Sequence, residues 1–423
     1  MAKDPYLVAI DVGSSSIKLA VAKDGLDDKN KVQILALVER SSSGIKRGVV
    51  TNMSEATESL IEVVNQAESI IGLPIRRAVI GVNGIGVTFT NSDGLIVISR
   101  PENEITEGDV ERVIQDSLTK AFGINNNEIL HVIPKSFTVD NQRGIKYPLG
   151  MIGNKLESKT LVVSVETSYI RNFTKVFNQA SLEIVDRIFT PLASGDFLLS
   201  LRQKKAGTVL IDIGYSSTSF IVWESEEIVG SGVIPIGSDH ITADLAVGAQ
   251  TNMEMAEEIK KQHLKFKVDN EDDINEIEVF NPDLQINENF KINEIQEYAK
   301  PRIEEIFLFV YKELRKLGKT SLPGGAVLIG GGASLEGIDL VAREILKIPI
   351  FKYNFDRKSV EFVPDYNNDP AFINCIALAA YSLYHENEQS VNQKFTRTNF
   401  STPTPPEQGT GIGGFLKKLL PWG

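Results

Sequence analysis

The chain has 423 residues, 42% of them hydrophobic and 24% charged, with 33 Gly and 17 Pro; this excludes a fibrous repeat or wholesale disorder, and the length asks for at least two domains. The formal net charge of −12 excludes a general nucleic-acid or anionic-surface binder, so any attraction to a membrane has to be local. One cysteine, Cys375, allows no internal disulfide, four scattered histidines lack ligand spacing, and neither a charged-then-apolar leader nor a spanning apolar run is present, so the expectation is a protein of the reducing cytoplasm without a structural metal.

Residues 6–22, YLVAIDVGSSSIKLAVA, read as a strand hairpin with a small polar turn. SEATESLIEVVNQAESIIG is predicted helical and RRAVIGVNG a buried strand ending in Gly. Residues 84–160 break this rhythm: GVTFTNSDGLIVIS is expected to be a hairpin around SDG, and ITEGDVERVIQDSLTKAF a helix capped by Thr106. Together they suggest a small α+β insertion with strands of its own. At 208–223, TVLIDIGYSSTSFIVW repeats the first hairpin's plan, with an Asp and a Gly at the tip of an apolar strand followed by hydroxyl residues, which implies an imperfectly duplicated α/β domain.

Residues 240–320 are helix-rich but interrupted by DNEDDINEIEVFNPDLQINENF, whose charge run reads as a solvated loop. GGAVLIGGGASLEGIDLVAREIL is a buried strand, a glycine turn and a helix, and AFINCIALAAYSLYH an apolar helix that has to be buried. Residues 387–411 are too polar to build a core and read as a flexible tether. The chain closes on GIGGFLKKLLPWG, in which Ile412, Phe415, Leu416, Leu419 and Leu420 share one helical face.

Three glycine-containing turns share one chemistry. Asp11, Gly13, Ser14, Ser15 and Ser16 in the first hairpin, and Asp212, Gly214, Ser217 and Thr218 in the second, offer backbone N–H groups and hydroxyls to phosphate oxygens, while each Asp is able to hold a hydrated Mg²⁺. Gly330, Gly331, Gly332 and Ala333 stand between a strand and a helix, where absent side chains let a flat ligand approach the backbone. Each turn taken singly is equally well an ordinary hairpin or a tight strand-to-helix corner. Their order, one loop, a second about 200 residues on and the glycines about 120 later, resembles the actin, sugar-kinase and chaperone ATPase superfamily.

Within that superfamily, EILHVIPKSFTVDNQRGIKYPLGMIGNKLESKT resembles the insertion of the bacterial cell-division family FtsA, as do GIKRGVV at 44–50, VIPIGSDHITADLA at 233–246, AEEIKKQH at 256–263 and IEEIFLFVYKEL at 303–314. The resemblance covers about residues 5–386. It implies an actin-like two-domain fold: subdomain 1A from 1–83, 161–198 and 371–388, an inserted subdomain 1C at 84–160, subdomain 2A from 199–239 and 311–370, subdomain 2B at 240–310, a linker at 389–410 and a terminal helix at 411–423. It further implies ATP with Mg²⁺ in the cleft, self-association into filaments, capture of the C-terminal tail of the tubulin-like FtsZ, docking of other division proteins on the inserted subdomain, and a place on the cytoplasmic face of the inner membrane at the division site.

Carried over residue by residue, Asp11 and Asp212 position the metal, Ser14 to Ser16, Ser217 and Thr218 lie near the phosphates with the turn glycines Gly13 and Gly214, and Lys18 and Gly237 count among the cofactor-binding residues. Gly330 to Ala333 border the adenosine, Glu257 and Lys260 lie near ribose and base, and Lys300 and Arg302 are candidates for the FtsZ tail, against the plain reading of a solvated first helical turn. Two departures weaken turnover. Tyr215 and Ser217 replace a glycine and a threonine common in relatives, and Thr190 stands where a water-orienting carboxylate or amide is frequent, with Asp196 the nearby substitute. Threonine is no general base at neutral pH, so binding with weak or no ATPase activity is expected.

On its tether, GIGGFLKKLLPWG suits a bilayer interface, with its five apolar residues and Trp422 inward and Lys417 and Lys418 toward anionic headgroups. Lys394, Arg397, Lys417 and Lys418 against Glu407 make residues 389–423 net +3, opposite in sign to the whole. A helix docked on its own body or on a partner, or an unordered end, is the alternative. Two other functions stay open: an adaptor like the pilus-assembly protein PilM, and a small-molecule kinase, for which no sugar-site Asp motif is found.

Overall fold

The computed structural model describes residues 6–25, 31–122, 126–266, 276–281, 285–353, 360–362 and 369–385. Two sheets of like design form the frame. In the first, Leu7–Val12, Ser16–Asp24 and Val32–Ser41 run antiparallel, and Arg77–Val82 and Glu183–Phe189 add in parallel on the other side of Leu7–Val12. In the second, Thr208–Ile213, Thr218–Glu224 and Glu227–Ile234 repeat the antiparallel meander, and Ala326–Ile329 and Ile350–Lys352 repeat the parallel extension. The duplication read in the two hairpins is thus a duplication of strand order. Val360–Phe362 returns to the first sheet beside Val32–Ile34, so the chain crosses back well before the expected boundary at residue 370.

The apolar periods decide which face each strand buries. Thr208–Ile213 is buried throughout: Val209, Ile211 and Ile213 belong to the second domain's core, while Leu210 joins the core centred on the first. Period two therefore puts Asp212 on Leu210's side, facing the first domain. The connecting helix Thr190–Leu198 and the helix Ile373–Tyr384 pack against each other beneath the central strands. Ile373 and Cys375 to Ala380 are buried, as the apolar composition requires, and exposure returns only at the end, at Tyr384.

The insertion forms a four-stranded sheet in the order Val87–Val97, Lys155–Glu166, Asn127–Val139, Gln142–Ile145, with the helix Glu107–Phe122 on one face and a small core of its own. Thr106 precedes that helix, and its N–H and hydroxyl both donate to the Asp109 carboxylate, half of a capping box. The hairpin expected at SDG is corrected: Val87–Val97 is one continuous strand. Gly94 is there for packing, since a Cβ would lie 2.0 Å from the Val113 carbonyl oxygen of the covering helix. The same strand lies along Glu227–Ile234, the edge strand of the second sheet. Lys135 donates to the Val229 carbonyl at 3.0 Å and Lys146 to that of Ser225 at 3.2 Å, so the insertion touches both domains and covers an edge that would otherwise be open to pairing.

The acidic stretch at 269–290 is corrected in part. Glu276–Asn281 and Ile286–Lys291 pair antiparallel, with Ile277 and Val279 buried and Glu276, Glu278 and Phe280 exposed; the charge run masks a period-two strand. The helix that follows begins at Ile292 and continues to Lys316 with Pro301 inside it, so Lys300 and Arg302 do not sit in a first turn. The residues expected to form the tether and the terminal helix, Ile412, Phe415 to Leu420 and Trp422 among them, lie outside the described residues.

Candidate functional site

The two hairpin tips close on each other across a cleft of about 610 Å³. Their turns are built alike: Gly13 N–H donates to the Ser16 carbonyl at 3.1 Å and Gly214 N–H to that of Ser217 at 3.0 Å. A Cβ at either glycine would fall within 2.9 Å of the carbonyl it bonds, so this tight turn needs glycine. GIKRGVV backs the first loop, where Gly48 N–H donates to Ser14 Oγ at 3.0 Å. Lys18, directly across from Asp11 in the ladder, donates to Ser16 Oγ at 2.6 Å and lies 3.4 Å from Glu39.

Asp11 and Asp212 line this cleft with Gly330 to Gly332, Glu257 and Lys260. Burial pushes both carboxyls up, with the Lys18 ammonium pulling against it. Asp212 reaches about 6, the Asn374 amide lowering it and the neighbouring Asp11 raising it further. Asp212 Oδ2 accepts from Asn374 Nδ2 at 2.9 Å, whereas its buried Oδ1 has no protein partner. A Cβ on Gly330, whose φ is +87°, would lie 2.3 Å from that oxygen. Two facing carboxylates and one unsatisfied oxygen fit a divalent cation. Among the described residues no group of three or more His, Cys, Asp or Glu is placed to hold a metal, so such an ion would take most of its shell from water and a ligand's oxygens, as Mg²⁺ commonly does.

Lys260 donates to the Ser238 carbonyl at 3.0 Å and to Thr242 Oγ1 at 2.7 Å, and pairs with Glu257 at 2.6 Å; its amino group lies 5.9 Å from the centre of the Tyr215 ring. Glu257 and Lys260 of the AEEIK helix are therefore held against one another and against the helix that starts at Ser238.

Three expected residues stand outside the lining. Thr218 donates its hydroxyl to the Ile236 carbonyl at 2.8 Å. Ala333 packs in the second core. Gly237 supports the second loop from behind, where a Cβ would lie 2.3 Å from the Tyr215 carbonyl oxygen. Asp196 is no substitute base. Paired with Lys204 at 2.6 Å and His385 at 3.0 Å, it is held at about 2, these partners overcoming its burial. Thr190 is fully buried with an unpartnered hydroxyl and does not line the cleft either. Arg302 grips Asp244 with two nitrogens, at 2.7 and 3.2 Å, and also bonds Glu305; Lys300, 3.8 Å from Glu304, is the more exposed cation of the pair.

Sequence reasoning missed Asn374 and Asn83. Asn83 follows the strand Arg77–Val82 as Gly330 follows its counterpart, and its amide reaches Ser219 Oγ of the other domain at 3.0 Å. The available signal was an isolated amide in each case, one in an apolar helix and one just past a buried strand.

Two like α/β domains around a cleft of paired acid-tipped turns define an actin-like protein. Solved structures agree on the fold: a chain of the PilM–PilN type IV pilus biogenesis complex superposes with a TM-score of 0.66 at 15% identity, over 89% of this chain and 98% of that one. MreB5 of Spiroplasma citri bound to ADP gives 0.52 at 13% identity, over 92% and 99%. Family models narrow the class, the SHS2 domain inserted in FTSA matching residues 84–164 and cell division protein FtsA matching 209–377. Cell division protein FtsA of Bacillus subtilis (strain 168) is 33% identical over 349 residues, 82% of this chain and 78% of that protein. That of Borreliella burgdorferi is 30% identical over 401 residues, 93% and 95%. The chain belongs to the FtsA family of bacterial cell-division proteins. These relatives favour cell division over the pilus-assembly reading, for which only the fold speaks.

Proposed function

We propose that this protein is a self-polymerising adaptor that binds ATP with Mg²⁺ in the cleft and ties FtsZ filaments, through their C-terminal tail, to the inner face of the cytoplasmic membrane, while other division proteins dock on the insertion. The observation that carries the nucleotide reading is the pair Asp11 and Asp212, one from each twin hairpin, with Asp212 Oδ1 buried and unpartnered. Asp11 and Asp212 would hold the ion's hydration shell, and a bound Mg²⁺ would neutralise phosphate charge. The N–H groups and hydroxyls of the two turns would take the phosphates, and Gly330 to Gly332 would admit the adenosine. With Thr190 buried and Asp196 committed to Lys204, no side chain of the connecting helix is placed to orient water, so phosphate release should be slow or undetectable. A rate of several per second that depends on Asp212 refutes this.

Gly330→Ala should bind ATP at least about tenfold more weakly by calorimetry, because the new Cβ meets the carboxylate in a backbone region costing about 1–3 kcal/mol for a non-glycine residue. Parent-like affinity would remove Gly330 from the site.

For the membrane, residues 411–423 supply the apolar face and the two lysines. Each apolar side chain would contribute about 1 kcal/mol at an interface. A single anchor is therefore marginal, and many anchors along one polymer act together through effective concentration. The full chain should pellet with anionic liposomes, and the chain ended after residue 410 should stay in the supernatant. Equal pelleting removes the anchor. An FtsZ tail peptide added to the same assay tests the partner, with Lys300 its more available contact.

A further inference from the structure

Asn374 is the group that decides how Asp212 faces the cleft. It lies in the first turn of Ile373–Tyr384, just after the 3₁₀ turn Pro370–Phe372. Its Nδ2 donates to Asp212 Oδ2 at 2.9 Å, and its Oδ1 accepts from Ser194 Oγ at 2.9 Å. Ser194 is fully buried, on the connecting helix Thr190–Leu198. Reversing the amide would set its carbonyl oxygen against the carboxylate, so the two partners together fix its orientation. A chain of two hydrogen bonds thus runs from the first domain's helices to the second domain's acid. It ties up one carboxylate oxygen and leaves only Oδ1 for a ligand, beside the side-chain-free Gly330.

We infer that Asn374, held by Ser194, is a positioning residue for the cation: it orients the Asp212 carboxylate so that a hydrated Mg²⁺ is captured only when the two domains are in the relation that makes this bond. The inference rests on the proposed Mg²⁺–ATP reading. The amide touches no reacting atom in this scheme. Its effect should therefore show in the part of nucleotide affinity that requires metal, and be absent from the part that does not.

The test is calorimetric titration of the full-length parent, Asn374→Ala and Ser194→Ala with ATP, once with MgCl₂ and once with EDTA. Losing a hydrogen bond to a charged group predicts about a tenfold loss for Asn374→Ala in MgCl₂, a smaller loss in the same direction for Ser194→Ala, and affinities within about twofold of the parent in EDTA. Asn374→Gln, which keeps the amide but displaces it by one methylene, should also lose affinity in MgCl₂. Equal losses in both buffers would mean a merely structural role, and unchanged affinity in MgCl₂ for both alanine variants would remove any role; either overturns the inference while leaving the nucleotide reading intact. A parent that binds no ATP in MgCl₂ overturns both. If Asn374→Ala fails to fold, Ser194→Ala decides, since it removes the support of the amide without touching Asp212.

Discussion

Asp212→Asn is expected to make the ligand-free protein more stable at pH 7.5 while weakening its binding of ATP in Mg²⁺ by about 30- to 100-fold, the scale of one lost charge-assisted contact or slightly more. The two effects have one cause. Burial raises the folded-state pKa of Asp212 to about 6, above the value near 3.9 of an unfolded chain. As pH rises through that interval the unfolded chain gives up its proton first, so ionisation works against the fold. By neutral pH the cost is about 3 kcal/mol for this group alone. An amide removes that cost and can still accept from Asn374, so melting should rise by roughly 6–12 °C, at ~2–4 °C per kcal/mol in a domain of 150–250 residues. Asp11→Asn should lose affinity in the same way. Calorimetric titration with a thermal melt of the same samples checks both halves. A variant that melts lower than the parent, or binds Mg²⁺–ATP as well, would mean that these carboxylates are not arranged for a cation.

The second large effect concerns acid and the insertion. His131, from the HVIP run, is 3% exposed, and its Nε2 accepts from the Phe189 N–H at 2.8 Å. That bond joins the insertion to the last residue before the connecting helix. Burial depresses the imidazole to about 4, against about 6.5 in an unfolded chain. Here the unfolded state takes up the proton first as pH falls. The neutral ring's contribution is complete above pH 6.5 and is lost progressively toward pH 4, by up to about 3 kcal/mol. Asp186, raised to about 6 by burial, and Asp212 titrate in the opposite sense, so the readout is a difference. His131→Leu should melt well below the parent at pH 7.5, having left a buried N–H without an acceptor at a cost of about 1–3 kcal/mol, and the gap should close as the pH approaches 4. A gap that stays constant with pH would mean that the ring is not buried neutral.

The frame was legible because its signals are local and repeated. Two acid-tipped hairpins 201 positions apart announced a doubled sheet, as Asp11 and Asp212 then proved to occupy matching strands. The glycine corner was readable for the same reason. What failed needed tertiary knowledge. Gly94 looks like a turn in SDG until the helix lying on it is known, and Ile277 and Val279 hide among acids until the partner strand is present. Thr218 is indistinguishable from Ser217 in sequence, yet one step along a strand turns its hydroxyl away from the cleft. Asn374 carries the chain's only interdomain bond to Asp212 among the hydrogen bonds described, and a single amide in an apolar helix says nothing of what it meets across a domain boundary.

The insertion rests on the rim strand of the opposite half through Lys135, and on the turn before it through Lys146, as well as on its own half. Any swing that widens the crevice must then drag or snap two lysine tethers lying outside it. The accessory lobe therefore braces the two halves from beyond the crevice.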